Sequence, residues 1–247
     1  YIFEHWIQLG GLDVTYADVQ TLNEAAHTSQ FDVIKVSAGL LVNLNWDEWT
    51  LLPCGGAMGY GCGPLLLGNQ ADFTIEKPTC LPGPDTTAAL LFKFWFHKHY
   101  PNQTPFLQYL PFNKLYQCLL SKEISQGVVI HEHRFTWQRD GLHRYIDLGD
   151  FWEQETQAPI PLGVILARKS LGSTVIQQIQ RHIQHSLQQA RNRKNLVSDF
   201  IRNYAQETEE KVMEDHIRLF VSDASMDMGE KGQKALETLI NIARDFR

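Results

Sequence analysis

The sequence has no apolar run of the ~18–20 residues that a membrane-crossing helix requires. Its longest candidate, Ala88 to Phe96, is interrupted by Lys93. It also lacks paired cysteines: Cys54, Cys62, Cys80 and Cys118 lie far apart, without a C-x-x-C pair or disulfide-dense spacing. Reduced thiols in a cytoplasmic protein fit this pattern better than a cross-linked secreted scaffold. Positive charge is in deficit, with 22 Lys and Arg against 28 Asp and Glu and a formal charge of -6. Because a phosphate-backbone binder needs a concentrated basic surface, nucleic acid is not expected as a partner, and neither is a membrane. The one basic cluster, Arg191-Asn192-Arg193-Lys194, follows a predicted helix, where cations complement the negative end of the macrodipole and face solvent. Internal repeats and low-complexity linkers are absent too.

What is present is material for a core. With 43% hydrophobic residues, six Trp and thirteen Phe in 247 residues, the chain can form one large domain or two modest ones. It begins at Tyr1 rather than Met, and Tyr1 to Trp6 already reads as helix, so we expect a natural start further upstream, where a removed signal peptide is left open.

Periodicity alternates along most of the chain. Leu12 to Tyr16 has the period of a strand, and Thr21-Leu22-Asn23-Glu24 has the spacing of a capping box. Phe31 to Val36 is a second strand, followed by a helical turn from Ala38 to Leu44. Strands at Trp49 to Pro53 and Pro64 to Leu67 flank a glycine-rich link, Gly55 to Gly63. A phosphate-cradling loop would open a helix here, whereas Pro64 and three leucines follow, so a close-packed backbone crossing is the better reading. Next come a strand ending at Leu81, the turn Pro82-Gly83-Pro84-Asp85, a helix from Thr86-Thr87, a strand at Phe106 to Leu110 and a helix over 112–121. Strands at Val128 to Ile130 and Tyr145 to Leu148, a short helix from Phe151 and a strand at Pro161 to Arg168 complete this region. From Thr174 on the pattern is helical, with stripes at Val175, Ile179, Ile183 and Leu187 and at Ala235, Leu236, Leu239, Ile240 and Ala243 that mark core faces. His182 and His185 face solvent on this reading. The expectation is a two-lobe α/β architecture with a central ligand cleft and C-terminal helices. Residues 1–70 and 162–247 form the larger, discontinuous lobe, and 71–161 the smaller one.

Such folds bind ligands at the carboxyl ends of strands. Three clusters qualify: Lys35 to Ser37, Asp85 to Thr87, and His131 with its neighbours. Thr86-Thr87 opens a helix, where amide donors and the positive dipole end suit an anion such as a carboxylate and two hydroxyls add donors. The alternative is a plain helix cap. His131 and His133, two apart on a strand, would share a face and could chelate a metal with His143 as a third ligand. Glu132 points the other way, and no H-E-x-x-H pattern supports zinc. One imidazole at a strand end could instead act as a general base, or be a satisfied core histidine.

Taken in order, seven segments carry more: Ile34 to Ser37, Gly55 to Pro64, Pro82 to Ala88, Ile130-His131-Glu132-His133-Arg134-Phe135-Thr136, Ile146 to Trp152, Pro161-Leu162-Gly163 and Ser225 to Gly232. Together they resemble the 1,4-dihydroxy-6-naphthoate synthase family of the futalosine route to menaquinone. The resemblance spans essentially the whole chain and implies a fold like the type II periplasmic binding proteins, used as a cytoplasmic enzyme. It implies a lyase that converts cyclic dehypoxanthinylfutalosine, a small-molecule carboxylate, to the dihydroxynaphthoate with no cofactor and no metal. It places the proton acceptor on His131 and substrate-binding positions on Lys35, Val36, Ser37, Thr86 and Thr87. His133 stands where family members carry small residues. Two departures are expected to matter: a strand and a Cys-Pro-Asn-Asp-like turn that precede the first helix in the family lie outside this N-terminally incomplete chain, and Ser222 replaces a common Asn. Rival readings are the related chorismate dehydratase, a solute-binding protein without chemistry, and a metal enzyme built on His131, His133 and His143.

Overall fold

The apolar run after Pro159 folds into the longest strand of the molecule, and the first sheet is laid on it. The computed structural model describes residues 1–28, 30–130, 133–204 and 209–245. Its strands are β1 (Val33–Ser37), β2 (Trp49–Leu51), β3 (Ala57–Gly59), β4 (Leu65–Gly68), β5 (Thr79–Leu81), β6 (Leu107–Tyr109), β7 (Gln126–Val129), β8 (His143–Asp147) and β9 (Ile160–Arg168). The helices are α1 (Glu4–Gln8), α2 (Val19–His27), α3 (Thr87–His99), α4 (Phe112–Leu120), α5 (His133–Thr136), α6 (Leu148–Thr156), α7 (Gly172–Arg191), α8 (Asp199–Tyr204), α9 (Glu210–Phe220), α10 (Asp223–Met226) and α11 (Gly229–Arg244). None of them is long and apolar enough to cross a membrane.

β1 pairs antiparallel with one edge of β9, Ser37 opposite Gly163, while β2 and β3 pair antiparallel along the other. Flanked on both edges and covered on both faces, β9 is buried almost throughout, which is why its sequence is a continuous apolar run rather than an alternation. The second sheet has the order β6-β5-β7-β4-β8, with β5 parallel to β6 and β7 and β4 antiparallel to β7 and β8. β4 therefore belongs with the second sheet rather than with residues 1–70 of the first. Leu65, Leu66 and Leu67 are fully buried between two partner strands, and a run of leucines serves the middle of either sheet equally well.

The chain crosses between the sheets through the glycine-rich link. Gly63 and Gly149 lie backbone against backbone, and a Cβ on either would overlap the other. Leu148 N–H donates to Pro64 O at 3.0 Å across the same contact. The helix that was too short for a bilayer, α3, lies at the centre: Ala88, Ala89, Leu91, Phe92, Phe94, Trp95 and Phe96 are all buried. An apolar surface all round is what a helix enclosed by other elements requires. It packs on α6, α11, β7 and β9.

Four local expectations change. Leu12 to Tyr16 has no regular structure, since alternation makes a strand only where an edge is available to pair. α2 is capped by Asp18, whose carboxylate accepts from Gln20 and Thr21 N–H, so Thr21 sits inside the first turn instead of capping it. The first turn of α7 is exposed, Val175 included, and its buried stripe runs through Ile179, Ile183 and Leu187. The basic cluster is a tie rather than a solvated end: Arg193 holds the buried Glu4 by two bonds of 2.7 and 2.8 Å, and Arg191 reaches Asp223 and the Ser222 carbonyl. His182 and His185 are exposed, and the rings of Trp6 and His5 pack on them from α1.

The crossing makes a direct prediction. Gly63→Ala inserts a methyl where the Gly149 backbone lies, and overpacking of this kind costs about 1–3 kcal/mol. The urea midpoint of the variant is expected to fall accordingly, and an unchanged midpoint would show that the crossing has room to spare.

Candidate active site

β1 ends where its last residue, Ser37, meets the first turn of α3. Ser37 N–H donates to Asn23 Oδ1 at 2.9 Å, and Thr87 N–H donates to Ser37 Oγ at 2.6 Å. The two hydroxyls are 2.9 Å apart, Gly39 N–H donates to Thr87 Oγ1 at 3.0 Å, and Thr87 Oγ1 donates to Leu162 O at 3.1 Å. Gly39 is required here: a Cβ would stand 2.7 Å from Thr87 N and from the carbonyl carbon of Thr86. Thr86 caps α3, its Oγ1 accepting from Ala89 N–H at 3.1 Å and donating to Gly83 O at 2.8 Å. The hydroxyl protons of Thr86 and Thr87 are thus engaged inside the protein, not presented as extra donors. In the first turn, Thr87, Ala89 and Leu90 N–H have acceptors, which leaves Ala88 N–H as the donor without a protein partner among the described residues.

This clasp forms one wall of a cavity of about 490 Å³, within the range of small-molecule sites. Lys35, Val36, Ser37, Thr86 and Thr87 all line it. Gly63, Pro64 and Ile130 line it from the second sheet's side, so the cavity lies at the carboxyl ends of β1 and β7 and at the N-terminus of α3. Lys35 is surface-accessible and borders this concavity. Desolvation lowers its ammonium pKa, and among the described residues no carboxylate pairs with it. An anionic group entering the cavity would find the cation and the positive end of α3 together.

His131 and Glu132 lie outside the described residues. On either side of them, Ile130 is in the cavity wall, and Arg134 donates to Gly63 O at 2.7 Å and to Asp147 Oδ2 at 2.5 Å. β7 stops at Val129, and His133 belongs to the short α5, so His133 does not extend the strand as a two-histidine chelate would need. Its ring stacks on Tyr116 at 3.7 Å, and His143 is exposed at the start of β8. Among the described residues no group of three or more His, Cys, Asp or Glu side chains is placed to hold a metal ion.

Several cavity residues were not anticipated. Cys62 is in the wall, fully buried, its thiol pushed up to about 12 by desolvation, and is therefore a neutral apolar surface rather than a nucleophile. Tyr16 and Tyr204 stack at 4.4 Å over the cavity and remain about half exposed. A second chamber of about 420 Å³ adjoins the first, and Lys35, His216, Tyr16, Tyr204 and Phe220 line both. His216 had a signal in the sequence: it interrupts an otherwise apolar helical stripe, Val212, Met213, Ile217 and Phe220. The tyrosines had none, because their meeting depends on two segments far apart in the chain.

Comparison with known proteins agrees with this architecture. A family described as menaquinone biosynthesis matches residues 1–245. The chain is 38% identical over 233 residues to the 1,4-dihydroxy-6-naphthoate synthase of Streptomyces coelicolor, covering 94% of this chain and 82% of that one. A crystal structure of a protein from Archaeoglobus fulgidus superposes with a TM-score of 0.88 at 25% identity, over 99% of this chain and 92% of that one. A Candida albicans protein described as having the generic periplasmic binding protein fold superposes with a TM-score of 0.60 at 9% identity, over 91% and 77% of the two chains. The two-lobe periplasmic-binding-protein-like fold is thus the fold of this chain.

Two outcomes follow from the geometry. Ser37→Ala removes the acceptor of the buried Thr87 N–H, and stability is expected to drop by about 1–3 kcal/mol in urea unfolding; a smaller loss than for an exposed Ser→Ala control would show that the clasp is slack. In the folded protein Cys54, Cys62 and Cys80 are buried, with thiol pKa values raised to about 11, 12 and 11 by desolvation. Alkylation near neutral pH, followed by mass spectrometry, is expected to label the half-buried Cys118 first and the other three only on unfolding.

Proposed function

Since the chain belongs to the menaquinone-biosynthesis family that includes the 1,4-dihydroxy-6-naphthoate synthases, we propose that it is the lyase that converts cyclic dehypoxanthinylfutalosine to 1,4-dihydroxy-6-naphthoate. The observation that carries this reading is the convergence of Lys35, Val36, Ser37, Thr86 and Thr87 on one cavity between the two sheets. The substrate is a carboxylate. Its anionic end is held near the Lys35 ammonium and the first turn of α3, where Ala88 N–H is available. With that end fixed, the ring to be opened is directed toward the Ile130 side of the cavity.

His131 is the proton acceptor in this reading. An imidazole with a pKa near neutrality suits proton abstraction, and such general-base catalysis contributes typically ~10²–10⁴-fold. Loss of the proton starts the eliminations that expel the sugar-derived fragment, and the gain of an aromatic naphthalene drives them forward. The protein's task is to fix the substrate and exclude water, and the Arg134 contacts to Gly63 O and Asp147 anchor the chain three residues after the base in sequence. The reaction needs no cofactor and is set in the cytoplasm, in keeping with four free cysteines. A solute-binding role would use the same cavity without turnover, and the assay separates the two.

Incubation with cyclic dehypoxanthinylfutalosine and a chelator is expected to yield the naphthoate, detected by mass and absorbance. Binding without product would point to a solute-binding protein, and product lost on chelation to a metal enzyme. His131→Ala is expected to abolish product while leaving the circular dichroism spectrum unchanged; retained turnover would remove His131 from the mechanism.

A further inference from the structure

The chain between α1 and α2 has no regular structure, and every residue from Gly11 to Ala17 is exposed. Its end nevertheless borders the cavity: Tyr16 lines both chambers, together with Tyr204 of α8. The two rings stack at 4.4 Å with their planes 21° apart, and Phe200, one turn earlier on α8, packs on Tyr204 at 5.0 Å. Tyr204 is thus supported within its own helix, whereas Tyr204 is the one ring that Tyr16 touches among the described residues. Tyr16 remains 51% exposed, so the stacked ring still has surface to give to a ligand. Phe112, Phe220 and Lys35 line the same two chambers. An ammonium set among aromatic side chains is a lining suited to a carboxylate carried on an aromatic ring.

We propose that Tyr16 is a specificity-determining residue of this site, packing on the aromatic ring that carries the ligand's carboxylate, and that Tyr204 is the residue that positions it. The proposal rests on the functional reading above for its ligand class, since the product, 1,4-dihydroxy-6-naphthoate, is an aromatic carboxylate. When the anionic end is held near Lys35 and Ala88 N–H, the ring joined to it has to lie in the same cavity, which Tyr16 also lines. Aromatic rings meet offset or edge to face, and such pairs add to what burial alone supplies. The stack with Tyr204 uses one face of Tyr16, which leaves the edge and the other face for the ligand. Desolvation, followed by the neighbouring Tyr204, raises the Tyr16 pKa, so the phenol stays neutral and does not repel an anion. A saturated ring of similar size would fill the space but forgo the pairing. Tyr16 therefore separates planar aromatic carboxylates from their saturated counterparts, and without Tyr204 to stack on, that distinction weakens.

The test is isothermal titration calorimetry of the full chain with two probes, 2-naphthoate and decahydronaphthalene-2-carboxylate, alongside turnover of cyclic dehypoxanthinylfutalosine. The quantity read is the ratio of the two dissociation constants on one protein, so a general loss of stability in a variant affects both probes alike. Wild type is expected to favour the aromatic probe by a margin that Tyr16→Leu reduces about 2- to 13-fold, the worth of one aromatic pair. Tyr204→Leu is expected to shrink the margin as well, and Tyr16→Phe, which keeps the ring, to retain it. A margin unchanged in either leucine variant overturns the proposal, as does its loss in Tyr16→Phe. A wild type that binds neither probe, or favours neither, overturns it too. The expected margins without naphthoate from cyclic dehypoxanthinylfutalosine overturn the functional reading and leave the aromatic-carboxylate specificity standing. Naphthoate formed by wild type, with margins that the leucine variants do not move, overturns the proposal alone.

Discussion

The site depends on one buried contact, the meeting of the Ser37 and Thr87 side chains. Three segments distant in sequence converge on it: the end of β1, the first turn of α3, and the Leu162 carbonyl at the head of β9. Every polar atom in the contact has a partner, which is the condition under which a buried polar cluster rigidifies a structure instead of weakening it. Because the hydroxyls are occupied with each other and with backbone, their role is to hold α3 in place. What the cavity receives is the consequence of that placement: an amide, a helix end and, from two positions earlier on β1, a lysine.

A second buried contact fixes the other side. Asp147 caps α6 through Gly149 and Asp150 N–H and at the same time takes the Arg134 guanidinium, which also reaches Gly63 O. The charges are desolvated, and the extra hydrogen bonds are what make such a pair sustainable. The aspartate therefore serves the helix it begins and the crossing it borders. A single Gly-to-Gly approach leaves space for nothing else there.

Much of this could be read from residue types. Thr86 as a helix opener, the apolar strand after Pro161, the glycine-rich crossing and the stripe of α11 all announce themselves through local preferences, and the structure realises them. The family pattern brought together five positions that one cavity unites. What could not be read were facts of pairing. Leu65 to Leu67 carry no mark of which sheet they join, Leu12 to Tyr16 alternate without finding an edge, and Arg193 meets Glu4 across almost the whole chain. His133 looked like a partner for His131 because a strand was expected to continue, and one short helix turned it onto Tyr116 instead. Local propensity proposes such elements, and tertiary contacts decide among them.

The position of β9 in the chain also sets an order of assembly. Its three partners, β1, β2 and β3, precede it by about a hundred residues or more, and those strands pair with β9 rather than with one another. Every strand of the second sheet lies between them. During synthesis the inner unit can therefore close on itself while the earliest strands still wait, unpaired, for a segment that has not left the ribosome. Long-range pairings of this kind are slow and leave apolar edges open in the interval. The outer lobe, and with it the half of the cavity that carries Lys35, is complete only when the last third of the chain has arrived.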